Sequence, residues 1–279
     1  MRVGAEWLQS LALALLRRTA ERGARVGFLH DLRFAVRGSP SAPELLLLHG
    51  LGDSMAGWAR VVGPLSRTYR VHLVDLPGHG LSPAPKDFRF ATLLDPLARY
   101  ATGLRAPVIV GHSLGGWLAT RLALMPGTAA RALVLVNPGG AVLAETEWRA
   151  FRDLLERADA RVYLERAFDS APLALRLFPG EVARAMSSPA TRSFLAAVVK
   201  EDFLRDADLA SLKIPVRIVW GERDRLLPAA TLPFFRAHLP AAEIVLLPGA
   251  GHLPHLEAPG ELARAISAPF REGEPAAGR

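Results

Sequence analysis

Gly111-His112-Ser113-Leu114-Gly115-Gly116 is the stretch of this chain best suited to covalent chemistry. It follows the apolar run Pro107-Val108-Ile109-Val110 and precedes Trp117-Leu118-Ala119-Thr120-Arg121-Leu122-Ala123-Leu124, which reads as a helix. Strand, then G-x-S-x-G, then helix is the setting in which the serine sits on a strained turn with its hydroxyl clear of the sheet. Gly111 and Gly115 are expected to be small because strand and helix pass close together there. The helix starts next to the serine, so its unpaired N–H groups face any negative charge that develops on a reacting oxygen. A serine hydroxyl becomes a good nucleophile only when a base takes its proton, so an imidazole and an orienting carboxylate must lie elsewhere in the chain. Downstream, Ile214-Pro215-Val216-Arg217-Ile218-Val219-Trp220 reads as a strand entering the acid-bearing loop Gly221-Glu222-Arg223-Asp224. A further strand, Glu243-Ile244-Val245-Leu246-Leu247, leads into Gly251-His252-Leu253-Pro254-His255. Both loops would lie at the carboxyl edge of a parallel sheet, the same edge as Ser113.

Four motifs together resemble the α/β-hydrolase superfamily, close to the bacterial serine esterases and lipases that carry a helical cap. They are Leu45–Asp53, Val71–Ser82, the loop from Trp220 to Pro228, and Gly251–Pro259, and the likeness runs from about Arg25 to Phe270. The resemblance implies that Ser113 is the nucleophile, His252 the general base and Asp224 the acid that orients it. It also implies an oxyanion hole made by the backbone N–H groups of Leu51 and Leu114. His49, Gly50, His112, Leu226, Leu227 and Leu253 border that site and are expected to meet substrate, although His49, His79 and His112 also fit supporting roles. The implied activity is carboxylic-ester hydrolysis through an acyl-enzyme, with an apolar acyl part favoured by the leucines around the site. Perhydrolysis or acyl transfer, and carbon–carbon bond hydrolysis, use the same triad and are the alternatives. A non-catalytic binding protein of this fold is the remaining one. No metal or organic cofactor is implied, since the base and the oxyanion donors do the work a metal would otherwise do.

Competing residues are weighed on position. Glu222 lies two residues before Asp224, but Asp224 occupies the family's acid position. The strand Ala132–Val136 runs into Asn137-Pro138, where no carboxylate stands. His255, three residues after His252, reads as a structural hydrogen-bonding histidine. Asp75 is expected to brace its turn through Gly78 or His79. Asp53 has no assigned role, and His30, His72 and His238 have no partner motif.

The elements that must position these groups follow from pattern. Strands alternate with helical stretches from about Arg25 to Gly140 and again after Lys213, which predicts a mostly parallel, doubly wound sheet. The expected core is 24–140 plus 213–271. Residues 141–212 read as successive helices and form the expected cap; Trp148, Phe151, Phe168, Phe178, Phe194 and Phe203 are its aromatics, either its own core or a pocket lining. Residues 1–23 read as an amphipathic helix and 272–279 as a flexible tail. At 279 residues and 50% hydrophobic content the chain can bury a large core. It contains no cysteine, which excludes disulfides and thiolate metal sites. The net charge of +7 comes from arginines scattered among leucines and alanines, not from a basic stripe, so nucleic acid is not an expected partner. The expected partner is a small-molecule or lipid ester. A cytoplasmic location is expected; peripheral membrane contact through residues 1–22, or export, are the alternatives. The sequence does not indicate an oligomeric state.

Overall fold

The computed structural model describes residues 14–177 and 179–270. Eight strands form one sheet: β1 Arg25–Leu29, β2 Leu32–Arg37, β3 Glu44–Leu48, β4 Arg70–Val74, β5 Val108–His112, β6 Ala132–Val136, β7 Val216–Gly221 and β8 Glu243–Leu247. Their order is β1-β2-β4-β3-β5-β6-β7-β8. β2 runs antiparallel to both neighbours, and β4 through β8 pair in parallel. The fold is therefore the mostly parallel α/β sheet that the alternation predicts. β1 and β2 are joined by His30 and Asp31, both at positive φ, as a two-residue hairpin that matches strand twist requires.

The central strands are apolar on both faces because helices cover both sides. Leu46, Leu48, Ile109, Leu133 and Ile218 face the layer that contains the helices Phe90–Thr102 and Leu114–Ala123. The alternate residues Leu45, Leu47, Val110, Val134 and Val219 face the layer with Ala59–Leu65 and Pro259–Ser267. Period-two alternation thus sorts one run of leucines and valines into two cores.

Between β6 and β7 the chain forms helices Glu145–Glu156, Ala160–Ala167, Leu173–Leu177, Pro179–Met186, Pro189–Ala197 and Asp206–Ala210. Prolines that break one helix start the next: Pro189 opens its helix behind Ser188, whose hydroxyl accepts from Thr191 N at 3.1 Å. The two ends of the insertion meet where Leu204 N donates to Gly140 O at 2.9 Å. At the amino end, residues 14–21 are helical. The remainder of the expected N-terminal helix, the tail from 271, and Phe178 lie outside the described residues. Among the described residues no helix is long and apolar enough to cross a membrane.

Candidate active site

Ser113 follows β5 directly and caps the helix Leu114–Ala123 with φ 52° and ψ −117°. A non-glycine residue is rarely found there, and the surrounding bonds hold it. Ser113 N donates to Val136 O, while Ser113 O accepts from Gly116 N, Trp117 N and Gly139 N. The glycines around it are required by approach distance. A Cβ on Gly115 would lie 2.4 Å from Leu48 O, and one on Gly111 would lie 2.1 Å from Gly115 O.

Asp224 lies on the loop after β7 and His252 on the loop after β8, so three parallel strands deliver the three residues to one sheet edge. His252 Nδ1 stands 2.8 Å from Asp224 Oδ2, with both side chains almost fully buried. The same carboxylate oxygen accepts from Asn137 Nδ2 at 2.7 Å, and Oδ1 accepts from Leu226 N and Leu227 N at 2.9 and 3.1 Å. Asn137 Oδ1 in turn accepts from Gly221 N at 3.2 Å. In the sequence Asn137 marks only the absence of a carboxylate after β6. Its pairing with Asp224 spans 87 positions and left no local signal.

The loop after β3 passes beside the serine: a Cβ on Gly50 would sit 3.3 Å from Ser113 Cβ. Neither Leu51 N nor Leu114 N has an acceptor among the described residues. Ser113, His252, Leu51 and Leu114 all line one cavity of about 650 Å³. Gly50, His112, Leu226, Leu227 and Leu253 line it too.

His49 does not line that cavity. It is fully buried behind the loop, where Nε2 accepts from Leu76 N at 2.9 Å and Nδ1 donates to Gly50 O at 2.8 Å. Burial, reinforced by nearby His79, lowers its pKa to about 4, so the ring is neutral and ties two loops together. His112 is also held well below the usual histidine range by burial, with His255 and His252 beside it. Its Nε2 lies 2.8 Å from His252 O, which fixes the backbone of the histidine loop.

Asp75 braces its turn through Leu81 N, not through Gly78 or His79. Its other carboxylate oxygen accepts from Met55 N and so joins the loop after β3 to the loop after β4. His255, expected to be structural, is buried between the rings of Trp58 and His112, with its Nε2 3.6 Å from Asp53 Oδ2.

The roof of the cavity comes from the insertion. Trp148, Phe151, Phe168, Phe194 and Phe203 all line it, and Trp117 joins them from the helix after Ser113. Trp117 and Phe203 lie 4.8 Å apart between ring centres, and Trp148 meets Phe203 edge-on at 5.1 Å. Tyr163, which no motif marks, and Leu16, on the apolar face of the N-terminal helix, also border the cavity.

Comparison with known proteins agrees with this architecture. A model of the alpha/beta hydrolase family matches residues 45–265. The pimeloyl-[acyl-carrier protein] methyl ester esterase of Aeromonas hydrophila is 31% identical over 248 residues, which cover 80% of this chain and 94% of that protein. A bacterial membrane phospholipase A is similar in structure at a TM-score of 0.75 and 25% identity, covering 93% of this chain and 89% of that one. Carboxylesterase CesB of Bacillus subtilis gives a TM-score of 0.76 over 94% of this chain and 97% of its own, but at 21% identity it speaks to the fold alone.

Proposed function

This chain belongs to the alpha/beta hydrolase family, and from that premise we propose that it is a carboxylic-ester hydrolase for esters with an apolar acyl part. The observation that carries the reading is the 2.8 Å contact of His252 Nδ1 with buried Asp224, placed at the same cavity as Ser113 and two unpaired backbone N–H groups. The methyl ester esterase among the relatives supports ester cleavage.

In this reading Ser113 Oγ attacks the ester carbonyl carbon while His252 Nε2 takes the hydroxyl proton. Asp224 keeps the imidazole in the tautomer with Nδ1–H and stabilises the imidazolium that forms. Leu51 N–H and Leu114 N–H receive the oxyanion; one such donor is typically worth about 100- to 1,000-fold in rate. The imidazolium returns its proton to the departing alkoxide, leaving an acyl-Ser113. Water, deprotonated by His252, then attacks the acyl carbon and releases the acid with Ser113 restored. The aromatic roof would receive the acyl chain, and burial of each methylene is worth about 0.8 kcal/mol at most.

The test is hydrolysis of p-nitrophenyl esters from acetate to palmitate by wild type and Ser113→Ala. Turnover in wild type that drops by more than about 10,000-fold in the variant is expected. A folded wild type without turnover on any of these esters would overturn the reading.

A further inference from the structure

The cavity has one acidic side chain among its described lining residues, Asp53. Asp53 belongs to the loop after β3, two residues beyond Leu51. Its Oδ1 accepts from Ser54 N at 2.7 Å, which fixes the carboxyl group in place. Its Oδ2 has no hydrogen-bond donor among the described residues, only the 3.6 Å approach of His255 Nε2. That separation is too long for a hydrogen bond. His255 is 1% exposed, borders the same cavity, and has no hydrogen-bond partner at either ring nitrogen. Buried polar atoms are rarely left unmatched in this way, because each costs about 1–3 kcal/mol.

The cavity lining is chemically mixed. Trp117 and the aromatics of the insertion helices give it apolar surface. Asp53, Ser54 and His255 give it a polar group, carried by the loop after β3 and by the short helix Pro254–Glu257, and Arg184, Ser188 and Thr191 of the insertion add further polar side chains. Ser54, Ala56 and Gly80 are shared with a side recess of about 310 Å³ that Asp75 and Arg17 also line. An ester seated on Ser113 has two arms, and the apolar acyl arm takes the aromatic surface. We propose that Asp53 and His255 form a specificity subsite for the alcohol arm, which carries an electropositive polar group, a hydroxyl or an ammonium. The alternative is a pair that only braces the loop through its own charge contact, which, against the opposing effect of burial, helps to hold the Asp53 carboxyl below its usual range, and substrate selectivity separates the two.

This inference rests on the ester-hydrolase reading, and one substrate set separates the two. Propyl, 2,3-dihydroxypropyl and choline esters of hexanoic acid share one acyl arm and differ only in the alcohol. Wild type is expected to prefer the dihydroxypropyl or the choline ester over the propyl ester by about tenfold in kcat/KM, and which of the two it prefers distinguishes hydroxyl from cation. Asp53→Asn keeps the acceptor for Ser54 N but removes the charge, and it should lower that selectivity ratio at least fivefold through KM. His255→Phe, which keeps the ring and removes its nitrogens, should lower it in the same sense. Propyl-ester turnover with no preference in wild type overturns the subsite alone. So does a parallel loss on all three esters in Asp53→Asn with the ratio unchanged, since that marks a loop brace. Absence of turnover on every ester overturns both readings.

Discussion

Asp224 accepts hydrogen bonds from Asn137 Nδ2, Leu226 N and Leu227 N besides the contact with His252, and only the last concerns the base. The other three decide where the carboxylate points, and Asn137 is the one that mutation can remove cleanly. Its amide spans the acid and Gly221 N, so it holds the acid loop to the end of its own strand. Asn137 sits at φ 41°, a conformation asparagine tolerates better than most residues. Asn137→Ala should cost about 1.5–3 kcal/mol of interaction with the charged acceptor. We expect kcat to fall between about 10- and 100-fold with KM nearly constant, measured on a short p-nitrophenyl ester. Asn137→Asp should be worse than alanine, because it sets a second negative charge within hydrogen-bonding distance of Asp224. An aspartate variant as active as wild type would show that Asn137 does not position the acid.

At the scale of elements, the helix Leu114–Ala123 does more than present Ser113. Its Arg121 reaches Asp208 at 3.0 Å and donates to Asp202 O and Phe203 O at 2.9 and 2.8 Å, while Trp117 Nε1 also donates to Asp202 O. The end of the insertion is thus fastened to the core helix next to Phe203, which lines the cavity. Arg121→Leu leaves Asp208 facing its place with only Arg205 as cation, and it should lower unfolding stability by about 2 kcal/mol. Limited proteolysis near residues 199–205 should quicken more than global unfolding does; equal acceleration would mean that the contact is not a local fastener. None of this was legible beforehand, since Arg121 reads as one polar position on an apolar helix. What was legible is equally specific. β3, β5 and β6 are continuous apolar runs that fit only a sheet covered on both faces. Glycines 111 and 115 mark the closest approach of strand and helix. The positions of Asp224 and His252 follow from strand ends, because a parallel sheet carries every such loop to the same edge. The reach of Asp75 to Met55 and of His255 to Asp53 joins different loops, which local spacing does not reveal.

The whole molecule carries a formal charge of +7 with its histidines neutral, and much of its imidazole is kept neutral by burial. His49, His72, His79 and His112 are all lowered, chiefly by desolvation, and for His49 and His72 the value falls to about 4. His72 illustrates the balance: burial lowers it, Glu44 across the sheet raises it, and Arg70 and Arg25 lower it again, while Nδ1 stays 2.9 Å from Tyr100 Oη. The sign follows from proton counting. Below the unfolded value of about 6.5 the unfolded chain binds a proton at each of these sites and the native chain does not, so stability falls as pH falls. For one such histidine the loss continues down to the native value near 4 and totals about 3 kcal/mol. Two or more together match much of the 5–15 kcal/mol available to a typical domain. The protein should therefore unfold in acid above pH 4, with the urea midpoint declining steeply between about pH 6.5 and 4. General charge repulsion is the competing cause, and salt separates them. Screening by 0.5 M KCl weakens repulsion among exposed charges but leaves the cost of protonating a buried ring. Most of the slope should survive in salt, and His72→Gln should reduce it by about one proton, or about 1.4 kcal/mol per pH unit. A slope abolished by salt, or unchanged in His72→Gln, would assign acid instability to surface charge and not to these buried rings.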